Sequence, residues 1–296
     1  MEIEGLISSI ASGIMMGGIY ALASIGLTLI WGVMNFINFA SGQLTMLGMY
    51  LCFAFTISLG LDPIASLIIA TVTLFVIGLF LEKSVIRPIV NASRFIQIVV
   101  TLAVGIAAEN IIQTIFGAEI IAMPRGIGSM QILSQVLELG SVRVTVARLL
   151  PLPVATLLTI LLHFFLTKTR VGLGIRAISQ NPYAACIVGI NVERAYFITW
   201  GIGCSFMGLA GALLMLFQPA YPTVGWEFIL VSFMAVTLGG AGSYVGSYIS
   251  SMIIGVIESL SSFIFVPALR QLIYLSLFIA ILILFPKGLF PTREVG

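Results

Sequence analysis

Apolar residues dominate the amino-terminal part of this chain so completely that no Asp, Glu, Lys or Arg occurs between Gly5 and Leu61. About 20 apolar residues already cross a bilayer, so this run predicts membrane segments near 6–31 and 35–60 rather than a soluble core. Further apolar windows fall near 63–82, 95–117, 148–167, 195–218, 227–241, 244–263 and 268–286. The pattern predicts an all-α, polytopic transmembrane helical bundle with about eight or nine membrane segments, forming a single transmembrane domain over 1–296. The windows 35–60 and 227–241 are candidates for broken or re-entrant segments, because polar or glycine-rich residues interrupt them. Gly13/Gly17 and Gly242/Gly246 are small-xxx-small pairs that let helices approach closely.

Charge then orients the bundle. Of the 296 residues, 60% are hydrophobic and only 8% charged, with a mean hydropathy of +1.19. Lys83, Arg87 and Arg94 crowd one short connection, and Lys168, Arg170, Arg176 and Arg194 another. Lys287 and Arg293 follow the final window. Because cytoplasmic loops collect Lys and Arg, these three segments are predicted inside, which puts the amino terminus outside and the carboxyl terminus in the cytoplasm. The segment at about 117–147, with charges of mixed sign, becomes an external loop. The acidic start Met1-Glu2-Ile3-Glu4 and the long apolar stretch behind it argue against a cleavable signal peptide.

Composition excludes several classes of chemistry. A net charge of +2 is too small for nucleic-acid binding. Cys52, Cys186 and Cys204 stand singly and read as packing residues. His163 is the only histidine, so catalytic triads and multi-histidine metal sites are absent. The sequence holds no phosphate-binding Gly-x4-Gly-Lys-Ser/Thr loop, so ATP-driven work would need nucleotide bound by another polypeptide. The chain is read as a non-enzyme with no cofactor or metal of its own, surrounded by membrane lipid.

Within this apolar background the polar residues stand out. Asn35, Asn38, Ser41 and Gln43 form a polar island, suited either to an interrupted helix or to contact with a polar solute. Glu109, beside Asn110, and Glu258 fall inside apolar windows, where an ionised side chain costs on the order of 2.5–3.5 kcal/mol and faces a cavity or a partner. A lining role and a structural hydrogen bond are both open for Glu109. Gly239 and Gly240 begin a glycine cluster that reads as a break between membrane segments. Between about 168 and 194, the Asn181-Pro182 pair signals a helix start, followed by a short Ala-rich helix through Ala184 and Ala185 that ends at Gly189. Such a helix has little to bury against unless a partner docks on it.

Several of these residues carry a resemblance. Tyr183-Ala184-Ala185-x3-Gly189 resembles the Glu-Ala-Ala-x3-Gly core of the coupling loop of bacterial ABC importer permeases. The whole chain resembles the branched-chain amino acid permease family, of the LivH-type subunit. Gly18-Ile19-Tyr20-Ala21-Leu22, Gly26-Leu27-Thr28-Leu29-Ile30 and Asn38-Phe39-Ala40 carry the match in the first third. Thr169-Arg170-x-Gly172, Arg176-Ala177, Val188-Gly189-Ile190-Asn191, Gly208-Leu209-Ala210-Gly211 and Leu238-Gly239-Gly240-x-Gly242-Ser243 continue it in order.

The resemblance implies an inner-membrane permease subunit paired with a second, related permease and fed by a periplasmic substrate-binding protein. Two cytoplasmic ATPase subunits, which hold the ATP and Mg, would dock on Asn181, Pro182, Ala184, Ala185, Gly189, Ile190 and Asn191. The family carries leucine, isoleucine and valine, and relatives carry other amino acids, amides or urea. Ser41-Gly42-Gln43 stands where the family commonly has His-Gly-Glu, and Glu109 where it commonly has Gln. Asn35, Asn38, Ser41, Gln43, Glu109, Asn110, Gly239 and Gly240 are the candidate solute path. The rival readings are a permease for urea or short amides, and a stand-alone secondary transporter using Glu109 as its ion site.

Overall fold

The computed structural model describes residues 2–139, 142–264, 270–285 and 288–290. Helix α1 (Glu2–Met34) spans 33 residues and is followed by α2 (Ser41–Ser58) and α3 (Pro63–Leu81). A π turn at Glu82–Ile86 leads through the short α4 (Arg87–Ile89) to α5 (Arg94–Phe116). Next come α6 (Met130–Leu133), an antiparallel hairpin of β1 (Val136–Leu139) and β2 (Val142–Thr145), and α7 (Val146–Leu149). Then follow α8 (Pro151–Lys168), α9 (Arg170–Gln180), α10 (Pro182–Ile187) and α11 (Val192–Met215). The chain continues through α12 (Gly225–Gly239), α13 (Tyr244–Ile264) and α14 (Arg270–Leu284).

Among the described residues seven helices are long and apolar enough to cross a membrane. That is fewer than the expected eight or nine: α2, whose 18 residues include Ser41, Gln43 and Thr45, and the 15-residue α14 fall short of that length or apolarity. The protein is a multi-pass membrane protein. The β hairpin is a small departure from an all-helical chain and sits in the segment expected as an external loop.

Helices α1, α11 and α12 are largely buried, whereas α3, α5 and α8 turn apolar faces outward, among them Ile68, Val72, Val76 and Phe80 on α3. Interhelical contacts are made backbone to backbone at glycine. A Cβ placed on Gly13 would lie 2.7 Å from the carbonyl oxygen of Gly255, and one on Gly26 would lie 2.5 Å from that of Gly203. Gly48 abuts Gly208, and a Cβ on Gly211 would overlap the carbonyl oxygen of Thr45. Polar side chains reinforce the same seams. Thr28 Oγ1 meets Ser247 Oγ at 2.6 Å and Ser24 Oγ meets Ser251 Oγ at 2.8 Å, joining α1 to α13.

The connections sort to two ends. At one end Arg87 bonds Glu193 at 3.1 Å, which brings the two strongly basic connections together. Gly32 abuts Gly242 there, and the Leu289 amide donates to the Leu238 carbonyl at 2.7 Å. At the opposite end Asp62 accepts from the Ser129 amide at 2.7 Å and from its hydroxyl at 2.8 Å. Residues Ile121 and Ala220 form an antiparallel bridge at that same end. Lys287 and Arg293 lie outside the described residues.

Two predictions follow from this packing. Gly211→Val should destabilise the bundle by about 3 kcal/mol or more, the upper range for overpacking, while Gly126→Ala, in open space, should be near neutral. Thermal unfolding in detergent reads both. Asp62 also caps α3, accepting from the Ile64 amide at 2.9 Å, and its bonds from Ser129 hold its carboxyl below the usual carboxylate value. That anchor is complete at and above the ordinary carboxylate range and weakens as pH falls through the lowered value. Asp62→Ala should therefore cost about 1 kcal/mol and speed proteolysis of the 117–135 segment at neutral pH; unchanged cleavage would show that the loop is held elsewhere.

Candidate functional site

A polar centre forms where two helices begin inside the bundle. Helix α1 ends as Asn35 takes a left-handed conformation (φ 48), a geometry that Asn tolerates better than most residues. The chain then runs without helix through 35–40 before α2 starts at Ser41. The expected break in window 35–60 is therefore a stretch of open backbone. Its amides are partly satisfied: Phe39 N–H donates to Thr101 Oγ1 at 3.1 Å, and Ala40 N–H to Asn38 Oδ1 at 2.9 Å. Irregular backbone at membrane depth requires cover by protein or a polar cavity, and Thr101 of α5 supplies some of that cover.

Helix α12 starts beside it. Gly42 and Gly225 are packed backbone to backbone, and a Cβ on Gly225 would lie 3.0 Å from the Gln43 amide nitrogen. Neither helix start has a side-chain cap. The first amides of a helix have no intrahelical acceptor and carry the positive end of its dipole, so the uncapped start of α2 directs donors at this centre. Helix α12 instead continues from a 3-10 turn at Pro222–Val224, in which the Val224 amide donates to the Tyr221 carbonyl at 3.0 Å.

The side chains around it are short of partners. Asn38 Nδ2, Ser41 Oγ and both Gln43 amide atoms are buried without a hydrogen-bond partner among the described residues. Leaving such a group unpaired costs about 1–3 kcal/mol. Four such atoms are concentrated within 38–43. Helix α5 lies over this centre, with Gly105 against Gln43. One turn further along α5, Glu109 accepts a 2.9 Å bond from Trp226 Nε1. The centre thus combines buried amide donors and acceptors with the start of α2, and Glu109 lies one turn of α5 away.

The remaining candidates lie elsewhere. Asn110 is exposed beside Glu109, and its Nδ2 donates to Ile106 O at 2.7 Å. Asn35 is exposed at the end of α1. Gly239 and Gly240 sit at the far end of α12, about 20 Å from Gly225 at 1.5 Å per residue; Gly239 packs on Gly246, and Gly240 (φ 94) turns the chain. Glu258, the other carboxylate within an apolar window, accepts from Tyr20 OH at 2.5 Å. Trp226, Gly225 and Gly105 belong to the polar centre without having been singled out from sequence; a Gly-Trp-Glu run opening an apolar window was the available signal.

At the basic end the 168–194 connection folds as a helix pair. Thr169 caps α9 through the Gly172 amide at 3.0 Å, so the basic entry expected as loop is helical. Asn181 caps α10, accepting from the Ala184 amide at 3.0 Å, with Pro182 at its first position. Gly189 (φ 86) ends the helix, Ile190 N–H bonds Ala185 O at 3.0 Å, and Asn191 caps α11. Ala185 is buried, yet Tyr183, Ile187 and Val188 are 78%, 71% and 74% exposed. These apolar side chains are held out on a turn capped at both ends.

Residues 9–282 match the family model described as branched-chain amino acid transport system / permease component. The chain belongs to that family. It is 29% identical over 293 residues to the high-affinity branched-chain amino acid transport system permease protein LivH of Salmonella typhimurium, covering 96% of this chain and 95% of that one. It is 26% identical over 303 residues to the corresponding protein BraD of Pseudomonas aeruginosa, covering 99% and 98%. A probable LivH of Methanocaldococcus jannaschii is 28% identical over 285 residues, covering 93% and 90%. No solved structure matches the chain. Membership of this permease family agrees with a transport subunit rather than an enzyme.

If the amide of Gln43 serves a visiting solute and not the fold, Gln43→Leu should leave the thermal midpoint unchanged or raise it, by up to about 3 kcal/mol in stability. A clear loss of stability would identify a structural partner for that amide.

Proposed function

We propose that this chain is the permease subunit of an ABC importer that moves branched-chain or related amino acids across the inner membrane. The observation that carries the reading is the exposed apolar turn of α10, fixed at the basic end by caps on both sides. It offers separate ATPase subunits, with their ATP and Mg, a rigid surface to push on. The clustering of the basic connections supports a cytoplasmic location for that end, with the amino terminus outside and the carboxyl terminus inside. The segment 117–147 would then face a periplasmic binding protein, and a second related permease would complete the path.

The solute class is supported by the polar centre and by the names of the relatives. The uncapped start of α2 suits a carboxylate, and Glu109 suits an ammonium group. The unpaired amides of Asn38 and Gln43 also favour a second reading, a urea or short-amide solute. Transport by alternating access would expose this centre to one side at a time, leaving the weak contacts that rapid passage requires.

The test is uptake and ATP hydrolysis in proteoliposomes holding this chain with its permease and ATPase partners, fed with binding protein loaded with leucine, other amino acids or urea. Stimulation by one loaded form names the solute class. Uptake that follows an ion gradient without any ATPase would overturn the importer reading. Ile187→Asp and Val188→Asp should cut coupled uptake at least tenfold, as loss of an interface anchor does, while leaving insertion intact. These exposed positions test docking more cleanly than Ala185, which is buried, or Gly189, whose backbone favours glycine.

A further inference from the structure

A cleft of about 960 Å³ opens at the basic end between the last turns of α1 and α8, helix α9 and the start of α13. Arg176, His163, Ser179, Asn181, Ser243 and Tyr244 supply its polar lining, and no carboxylate lines it. Arg176 is exposed and makes no salt bridge among the described residues. His163 Nδ1 lies 2.8 Å from Tyr244 OH, so Nε2 is the ring nitrogen left for another partner. The polar lining is therefore rich in donors and, among the described residues, unopposed by negative charge, a combination that calls for an anion.

The cleft passes directly into the lipid-facing flank. Phe164, exposed on α8, sets its ring 6.0 Å from that of His163. Val245, which lines the cleft, is exposed on α13, as Leu161 is on α8. A hydroxyl pair, Thr156 Oγ1 and Tyr248 OH at 2.7 Å, ties α8 to α13 below it. An anion seated here would have apolar surface running away from it along the membrane.

We propose that this cleft binds the phosphate headgroup of an anionic phospholipid, with Arg176 and His163 on the phosphate and acyl chains along Phe164 and Val245. Basic pockets between membrane helices at the cytoplasmic side suit such headgroups. Asn181, which caps α10, also lines the cleft, so a bound lipid braces the α9–α10 pair.

Native mass spectrometry of the full-length chain released from detergent, with phosphatidylglycerol and phosphatidylcholine in equal amounts, tests this. Wild type should retain phosphatidylglycerol about fivefold over phosphatidylcholine, the preference falling to near one in Arg176→Ala and in His163→Ala. Arg176→Lys should keep most of it. Lys168→Gln, which removes a neighbouring cation outside the cleft lining, should leave retention within about twofold; the factors follow from roughly 1 kcal/mol per basic residue at a charged surface. Equal retention of both lipids, unchanged retention in Arg176→Ala, or an equal loss in Lys168→Gln would overturn the proposal. Retention that persists in millimolar inorganic phosphate supports a lipid, whereas displacement by phosphate overturns the lipid assignment in favour of a free anion.

Discussion

Lipid offers little hydrophobic gain for bringing two apolar helices together, so association depends on close packing and interhelical hydrogen bonds. In this chain that constraint is met where backbone touches backbone. Gly13 against Gly255, Gly26 against Gly203, Gly48 against Gly208 and Gly211 against Thr45 draw α1, α2, α11 and α13 closer than side chains would allow. Such approach also brings Thr28 to Ser247 and Ser24 to Ser251, converting hydroxyls that would be costly in hydrocarbon into ties between helices. The buried core formed by α1, α11 and α12 exists because these contacts leave no room for lipid.

The same close packing makes the polar centre possible. Gly42 against Gly225 lets two helices begin side by side inside the bundle, and neither start is capped. Gly105 of α5 packs on Gln43, and Asn38 Nδ2 and both Gln43 amide atoms are buried there. Burying these groups opposes folding, and the glycine seams around them offset the cost.

Much of this was legible in the sequence because membrane burial writes itself in composition. The absence of charge from Gly5 to Leu61, the basic connections and the Asn181-Pro182 start each translate into structure through one local rule. The interrupted window 35–60 was visible as a polar island for the same reason. What stayed hidden depends on which surfaces meet. Nothing local to Gly225 or Gly105 says that each lies against Gln43, and the pairing of Glu109 with Trp226 joins residues distant along the chain. Gly239 and Gly240, read from sequence as a break between membrane segments, lie at the opposite end of α12 from Gly225. The helix at Arg170–Gln180 was concealed by its charges, which read as a loop until its buried face, Gly172, Ile175 and Ile178, found the core.

Helix α12 links these two regions mechanically. Its first residue packs on Gly42 at the polar centre, and its last packs on Gly246 at the basic end, where Leu238 also receives the Leu289 amide. A helix of 15 residues behaves as a short rod of about 22 Å. A tilt imposed at Gly239 must therefore reappear at Gly225, where both helix starts and Trp226 are held against Gln43 and Glu109. Glycine contacts thus fix both ends of α12, one at the polar centre and the other at the basic end.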